Sequence, residues 1–150
     1  MKILFNEHPN KGLQRVGYCS YYGEIFYALN EICEVTSSCG VPSRTSEFGT
    51  GYDAIVMGFG HTDCGDSGPM STINDNDIPL FPILNKEYTG LKQKLEWIKN
   101  MKPTAALTVH HDTEEYSKIT GVPFHRIMWS ANENLFKNYG EDYKFDLFFS

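Results

Sequence analysis

Residues 53–59 read DAIVMGF. Ala54, Ile55, Val56 and Met57 form an apolar run of strand length without the polar alternation of a half-solvated strand. Such a run predicts a strand covered on both faces, the habit of parallel sheets enclosed by helices. The pattern repeats outward. Lys2–Asn6 is a short apolar strand. Tyr22–Cys33 places Ile25, Phe26, Leu29, Ile32 and Cys33 at helical spacing, which describes one buried face. Glu34–Ser38 reads as a second strand, and Cys39–Tyr52 as a loop rich in Gly, Ser and Thr.

Beyond the central run, Ile78–Leu84 (IPLFPIL) is strand-like. Pro79 and Pro82 each remove a ladder donor, which predicts an irregular strand or one near an edge. Gly90–Lys102 is an amphipathic helix with Leu91, Leu95, Ile98 and Met101 on one side and lysines on the other, stopped by Pro103. Thr104–His110 (TAALTVH) is a further buried strand. Asp112 and Glu115 have the spacing of a capping box, and Gly121 ends the helix they open. Phe124–Trp129 is strand-like, and Asp146–Ser150 (DLFFS) resembles the start of another strand. Strands alternating with helices predict a three-layer, Rossmann-like α/β domain with a mainly parallel sheet. The chain reaches Ser150 inside an apparent strand, whereas domains usually end in polar, exposed segments. The expectation is one domain over residues 1–143, with 144–150 opening the passage to another.

Composition sets the outer limits. A chain of 150 residues with 41% hydrophobic and 21% charged residues suits one soluble domain. Thirteen basic residues against nineteen acidic give a net charge of −6, and no dense Lys/Arg block is present, so nucleic acid is not an expected partner. No apolar run has the length of a membrane span. Met1–Phe5 enters a strand directly rather than an export signal. Cys19, Cys33, Cys39 and Cys64 form no C-x-x-C pair, and reduced thiols in a cytoplasmic protein are expected.

The loop after the central strand contains Gly65-Asp66-Ser67-Gly68-Pro69, close to the nucleophile loop of trypsin-like proteases. That chemistry needs a base beside the serine and a group to orient the base. Those proteases are pairs of antiparallel barrels, one motif glycine is missing, and the histidine-bearing Ala-Ala-His-Cys stretch is absent. The residues read as turn formers instead. Position keeps the loop of interest, because ligands of parallel α/β sheets bind beyond the carboxyl ends of the strands.

Other constellations lie at strand ends too. His110-His111-Asp112 follows the TAALTVH strand. A zinc site combining it with His61, Asp63, Cys64 or His125 lacks the short local spacing such sites use, so no metal is expected. The two histidines are expected to place one imidazole inside the sheet layer and one at the crevice. Gly12, Gly17 and Gly23 are too widely spaced for a dinucleotide fingerprint. Lys11 and Arg15 leave room for a looser anion or sugar site. Asn85-Lys86-Glu87-Tyr88 offers donors and acceptors to a hydroxyl-rich ligand.

The run HDTEEYSKITGVPFHRIMWSANENLFKN carries a family resemblance. Thr120-Gly121-Val122-Pro123 leads into a strand through Trp129, then the small-residue turn Ser130-Ala131, then Asn132 to Phe136. This order resembles the N-terminal domain of GT-B fold glycosyltransferases, of the group-1 type related to bacterial spore-coat enzymes and their giant-virus counterparts. YKFDLFFS is similar to the strand that opens the donor-binding C-terminal domain of these enzymes. The likeness covers about half of the chain well.

The resemblance implies the acceptor-binding half of an enzyme that moves a sugar from a nucleotide-sugar co-substrate to a glycan or other hydroxyl acceptor. This half binds no cofactor of its own and has little activity alone. An apolar patch around Trp129 and FDLFF would meet the C-terminal partner domain. Cleft-facing segments are then His8–Tyr18, Gly60–Ser67, Asn85–Tyr88 and His110–Asp112. Substrate contacts fall to His8, Lys11, Arg15, Tyr18, Asn85, Lys86, Glu87 and His110. An inverting enzyme needs a base near the acceptor, with His61, Asp63 and His111 as candidates by position, whereas a retaining enzyme needs none. The alternative is a stand-alone small-ligand-binding or partner-dependent module of the same fold, without catalysis.

Overall fold

The computed structural model describes residues 1–7, 21–58, 61–62 and 72–128. Strand β1 is Lys2–Glu7, followed by helix α1 (Tyr21–Asn30), β2 (Glu34–Cys39), a short 3-10 turn at Thr45–Phe48, and β3 (Ala54–Met57). Then come β4 (Leu80–Leu84), α2 (Leu91–Met101), β5 (Ala106–Thr108), α3 (Thr113–Thr120) and β6 (Phe124–Arg126). Among the described residues the six strands form one sheet in the order β2-β1-β3-β4-β5-β6, and every pairing is parallel.

Side-chain alternation along the strands explains the layers. Ile3, Phe5, Ala54, Val56 and Ile83 point to one face, where Ile25, Phe26 and Leu29 of α1 pack on them. The Phe5 and Phe26 rings meet edge to face at 5.9 Å. Leu4, Ile55, Met57, Leu80 and Leu84 point to the other, under Leu95, Ile98 and Met101 of α2 and Tyr116 of α3. Burial of each such side chain contributes roughly 1.5–3 kcal/mol. This is a three-layer, Rossmann-like α/β domain, as the DAIVMGF run predicts.

Several local expectations need correction. β4 is neither irregular nor at an edge; it lies between β3 and β5. The Pro79 carbonyl accepts from Ile55 on the β3 side and the Leu80 carbonyl from Thr104 on the β5 side. By alternation the missing amide of Pro82 faces β5, whose ladder with β4 begins only at Ile83↔Leu107. The proline therefore interrupts nothing. α1 ends at Asn30, so Ile32 loses the helical phase and stands 79% exposed in the following turn. β6 stops at Arg126, opposite the last residue of β5, rather than at Trp129, which lies outside the described residues. So do the strand expected at 146–150 and the apolar patch around it.

The loop expected at 39–52 is pinned rather than open. Asp75, in the run leading to β4, accepts hydrogen bonds from the Ser46 amide (2.8 Å) and hydroxyl (2.9 Å), and pairs with Arg44 at 3.3 Å. The Asn76 amide group adds a bond to the Thr45 carbonyl. The Ser46 amide above all holds the Asp75 carboxyl below its ordinary value; desolvation, next in size, opposes this, and the Ser46 hydroxyl, Arg44 and Thr45 each add a smaller lowering.

A carboxyl depressed in the folded state contributes stability above its unfolded value of about 3.9, and that contribution is lost as pH falls through the folded value. Asp75→Asn is therefore expected to lower the urea midpoint near neutral pH without changing the m-value. The gap between wild type and variant should close as pH drops through that window. A gap independent of pH would assign the loss to shape rather than charge.

Candidate functional site

The chain first winds from β1 to β2 in one direction. It then crosses to β3 and winds through β4, β5 and β6 in the other. Right-handed crossovers put α1 on one face and α2 and α3 on the opposite one. The reversal lies between β1 and β3, and ligands of such sheets bind in the crevice beyond the carboxyl ends there. At that point β1 ends in Asn6 and Glu7, both buried, and the Gly58 amide donates to the Asn6 carbonyl at 2.8 Å. A Cβ at position 58 would overlap the Glu7 carboxylate, so a larger residue there needs the Glu7 side chain to shift.

From there a line of buried polar side chains runs along the carboxyl edge to β5. Two threonine hydroxyls staple it, each giving and taking one hydrogen bond. Thr62, beyond β3, donates to the Ile83 carbonyl at 2.8 Å and accepts from the Asn85 amide at 2.9 Å. Thr108, at the end of β5, donates to the Glu87 carboxylate and accepts from the His110 amide at 3.1 Å. The segment between them is drawn inward by Lys94 of α2, whose ammonium donates to the carbonyls of Asn85 (2.6 Å) and Lys86 (2.8 Å).

Lys86 adopts a left-handed φ of 51°, which costs a residue with a side chain about 1–2 kcal/mol. Its carbonyl accepts from both Lys94 and the Thr89 amide, which fixes that turn. Asn85 and Glu87 are buried as a result, while Tyr88 is exposed. The Asn85 side-chain amide nitrogen is buried and has no hydrogen-bond partner among the described residues.

Past Thr108 the chain turns into α3. Asp112 sits at the N-cap position but makes no capping bond, so the expected box with Glu115 does not form. Its carboxylate instead lies 3.0 Å from Nδ1 of His110. The Tyr116 hydroxyl lies 3.2 Å from the same nitrogen, and its ring stacks near the imidazole with centroids 6.0 Å apart. Burial first, then the carboxylates of Glu87, Asp112 and Glu115, push the Tyr116 hydroxyl up to about 12. That value keeps it a neutral phenol. His110 and His111 are both exposed, so neither imidazole enters the sheet layer as expected. Gly121 closes α3 with a left-handed φ of 73°, as the sequence implies.

The structure thus brings Asn85, Lys86, Glu87 and His110 to one edge, with His111 beside them, its ring centroid 6.3 Å from that of His110. His61 is buried just beyond β3, its amide on the Gly58 carbonyl. His8, Lys11, Arg15, Tyr18 and Asp63 lie outside the described residues, as does Ser67 of the protease-like motif. No three His, Cys, Asp or Glu side chains among the described residues converge as a metal site would require. No described helix is long and apolar enough to cross a membrane.

Sequence reading missed Glu7, Thr62, Lys94, Thr108 and Tyr116. A signal for Lys94 exists: it stands three residues after Leu91 and four before Ile98, on the buried stripe of α2. No family model matches this chain, and neither does any curated protein or solved structure.

Lys94→Met keeps the helical stripe and removes the cation that gathers the buried Asn85 carbonyl and the half-buried Lys86 carbonyl. It is expected to cost roughly 1–3 kcal/mol in urea unfolding, with amide NMR shifts concentrated at residues 85–89. A loss under about 0.5 kcal/mol would show that the two bonds contribute little net stability.

Proposed function

We propose that this chain is the acceptor-binding half of a glycosyltransferase that moves a sugar from a nucleotide-sugar donor to a glycan or other hydroxyl acceptor. The observation that carries the reading is the stapled polar line from Thr62 through Asn85 and Glu87 to Thr108 and His110. A sugar presents hydroxyl groups that both give and take hydrogen bonds, and recognising it needs fixed partners of both kinds. Asn85 supplies a buried donor without a partner among the described residues, and Glu87 and His110 supply acceptors. The resemblance carried by residues 111–138 supplies the reaction class. In this reading the nucleotide is held by a C-terminal donor-binding domain, the chain works in the cytoplasm, and no metal or cofactor belongs to this half.

Held rigidly before binding, such groups lose little freedom when the ligand arrives. The carboxyl edge of this chain supports that economy, because Thr62 and Lys94 hold the backbone from Ile83 to Lys86 while Thr108 holds the Glu87 carboxylate and the His110 amide.

Titrating the 15N-labelled chain with the methyl glycosides of glucose, mannose, galactose and N-acetylglucosamine tests the reading. At least one should shift amides at Asn85–Glu87 and Thr108–Asp112. Asn85→Ala should then weaken that glycoside about 3- to 10-fold, the worth of one neutral hydrogen bond. Shifts confined to the Ser46–Asp75 clamp, or none with any glycoside, would overturn it.

A further inference from the structure

We propose that this edge selects an acceptor sugar that carries an ammonium group and turns away acidic ones, uronic acids and sugar phosphates among them. The proposal deepens the glycosyl-transfer reading above and rests on it. Three carboxylates gather where β5 turns into α3. Glu87, buried, accepts from the hydroxyl of Thr108, the last residue of β5. Asp112 stands at the N-cap position of α3, and Glu115 lies in its first turn, exposed. A carboxylate only accepts hydrogen bonds, whereas an ammonium presents three donors and no acceptor.

The Tyr116 hydroxyl reports the sign of the field among these groups. Burial first, and then Glu87, Asp112 and Glu115, raise it, and no lysine or arginine among the described residues offsets them there. The cations nearby are placed elsewhere. Lys94 directs its ammonium at the carbonyls of Asn85 and Lys86, and Lys118 lies in the last turn of α3. Arg126, level with Thr108, stands on the outer strand β6. His110, 3.0 Å from Asp112, adds positive charge only when protonated. Buried Glu87 is the least screened of the three carboxylates, while Asp112 is half exposed and acts more weakly.

A second observation marks the edge as a place for a ligand. The Asn85 side chain, on a residue 5% exposed, holds an amide nitrogen without a hydrogen-bond partner among the described residues. Asn85 and Glu87 flank the left-handed turn at Lys86, so a buried donor and a buried carboxylate stand on the two sides of one residue. A ring hydroxyl can satisfy the amide, and an ammonium substituent on the same sugar can meet the carboxylates. An acidic substituent would be drawn out of water against charge of its own sign.

A series differing only at C6 tests the proposal: the methyl glycosides named above, their 6-amino-6-deoxy forms and their uronic acids. At about pH 7.5 the first carry a neutral group at C6, the second an ammonium and the third a carboxylate. Dissociation constants read from amide shifts in low salt should rise from ammonium through hydroxyl to carboxylate, with about 5- to 50-fold between the extremes. That spread should shrink in high salt. The ratio of the extremes should also at least halve in the double variant Asp112→Asn/Glu115→Gln. A ratio cancels any loss of affinity common to both ligands, including one from a disturbed fold. A uronic acid that binds as tightly as its parent, or a ratio that the double variant leaves unchanged, would overturn the proposal and leave the glycosyl-transfer reading standing.

Paramagnetic relaxation by aminomethyl-PROXYL and by carboxy-PROXYL reads the same field with no sugar present. Relative to the average over the chain, amides at 110–115 should relax faster with the cationic probe. Equal or opposite relaxation there would overturn the proposal on its own. Binding by no member of the series would overturn the reading of the site, and this proposal with it.

Discussion

A parallel sheet has no face it can leave to water, and this requirement organises the rest of the molecule. Strands such as Ala54–Met57 are apolar on both sides, so helices must cover both. Right-handed crossovers can do that only if the chain winds outward in two directions from a shared centre. The reversal between β1 and β3 is therefore a consequence of burial rather than an ornament of the topology. It also decides where chemistry can sit. Once both faces are closed, the carboxyl edge at the reversal is where backbone and side chains remain open to a ligand.

Building a polar edge on an apolar slab raises its own difficulty, since groups there are half withdrawn from water. Each must find a partner or weaken the fold. The two threonines meet this with one hydroxyl apiece, using both the donor and the acceptor capacity of the group. Lys94 meets it from another layer, placing a cation against carbonyls that the turn at Lys86 would otherwise leave facing the interior. The same interactions that make the edge tolerable also make it rigid. A strained, left-handed lysine persists because its surroundings over-determine it.

How much of this was readable in the sequence follows from the range of the forces involved. The layered α/β class was legible in Ala54–Met57 and in the helical stripe of α2, because burial acts on every residue of an element with a fixed period. The central place of β4 was not. Whether Pro82 interrupts a ladder depends on which neighbour its amide would face, and that is settled only by pairing. At the edge, Asn85, Glu87 and His110 were marked by following strands. Thr108 and Tyr116 looked like ordinary strand and helix residues, since their roles arise from contacts 21 and 6 residues away in sequence. Asp112 was recognisable as a helix-start residue, yet the nearby imidazole drew its carboxylate from the backbone amides it was expected to cap. Competition between two nearby partners has no sequence signature.

The glycine at the end of β3 has a consequence for how the chain can vary. The Glu7 carboxylate fills the volume that a side chain at position 58 would need, so the two positions are coupled across the β1–β3 seam. Enlarging residue 58 alone displaces the buried Glu7 carboxylate. A larger residue at 58 must either turn the Glu7 carboxylate aside or replace it. A change at 58 is thereby felt at 7, even though the two residues stand fifty-one positions apart along the chain.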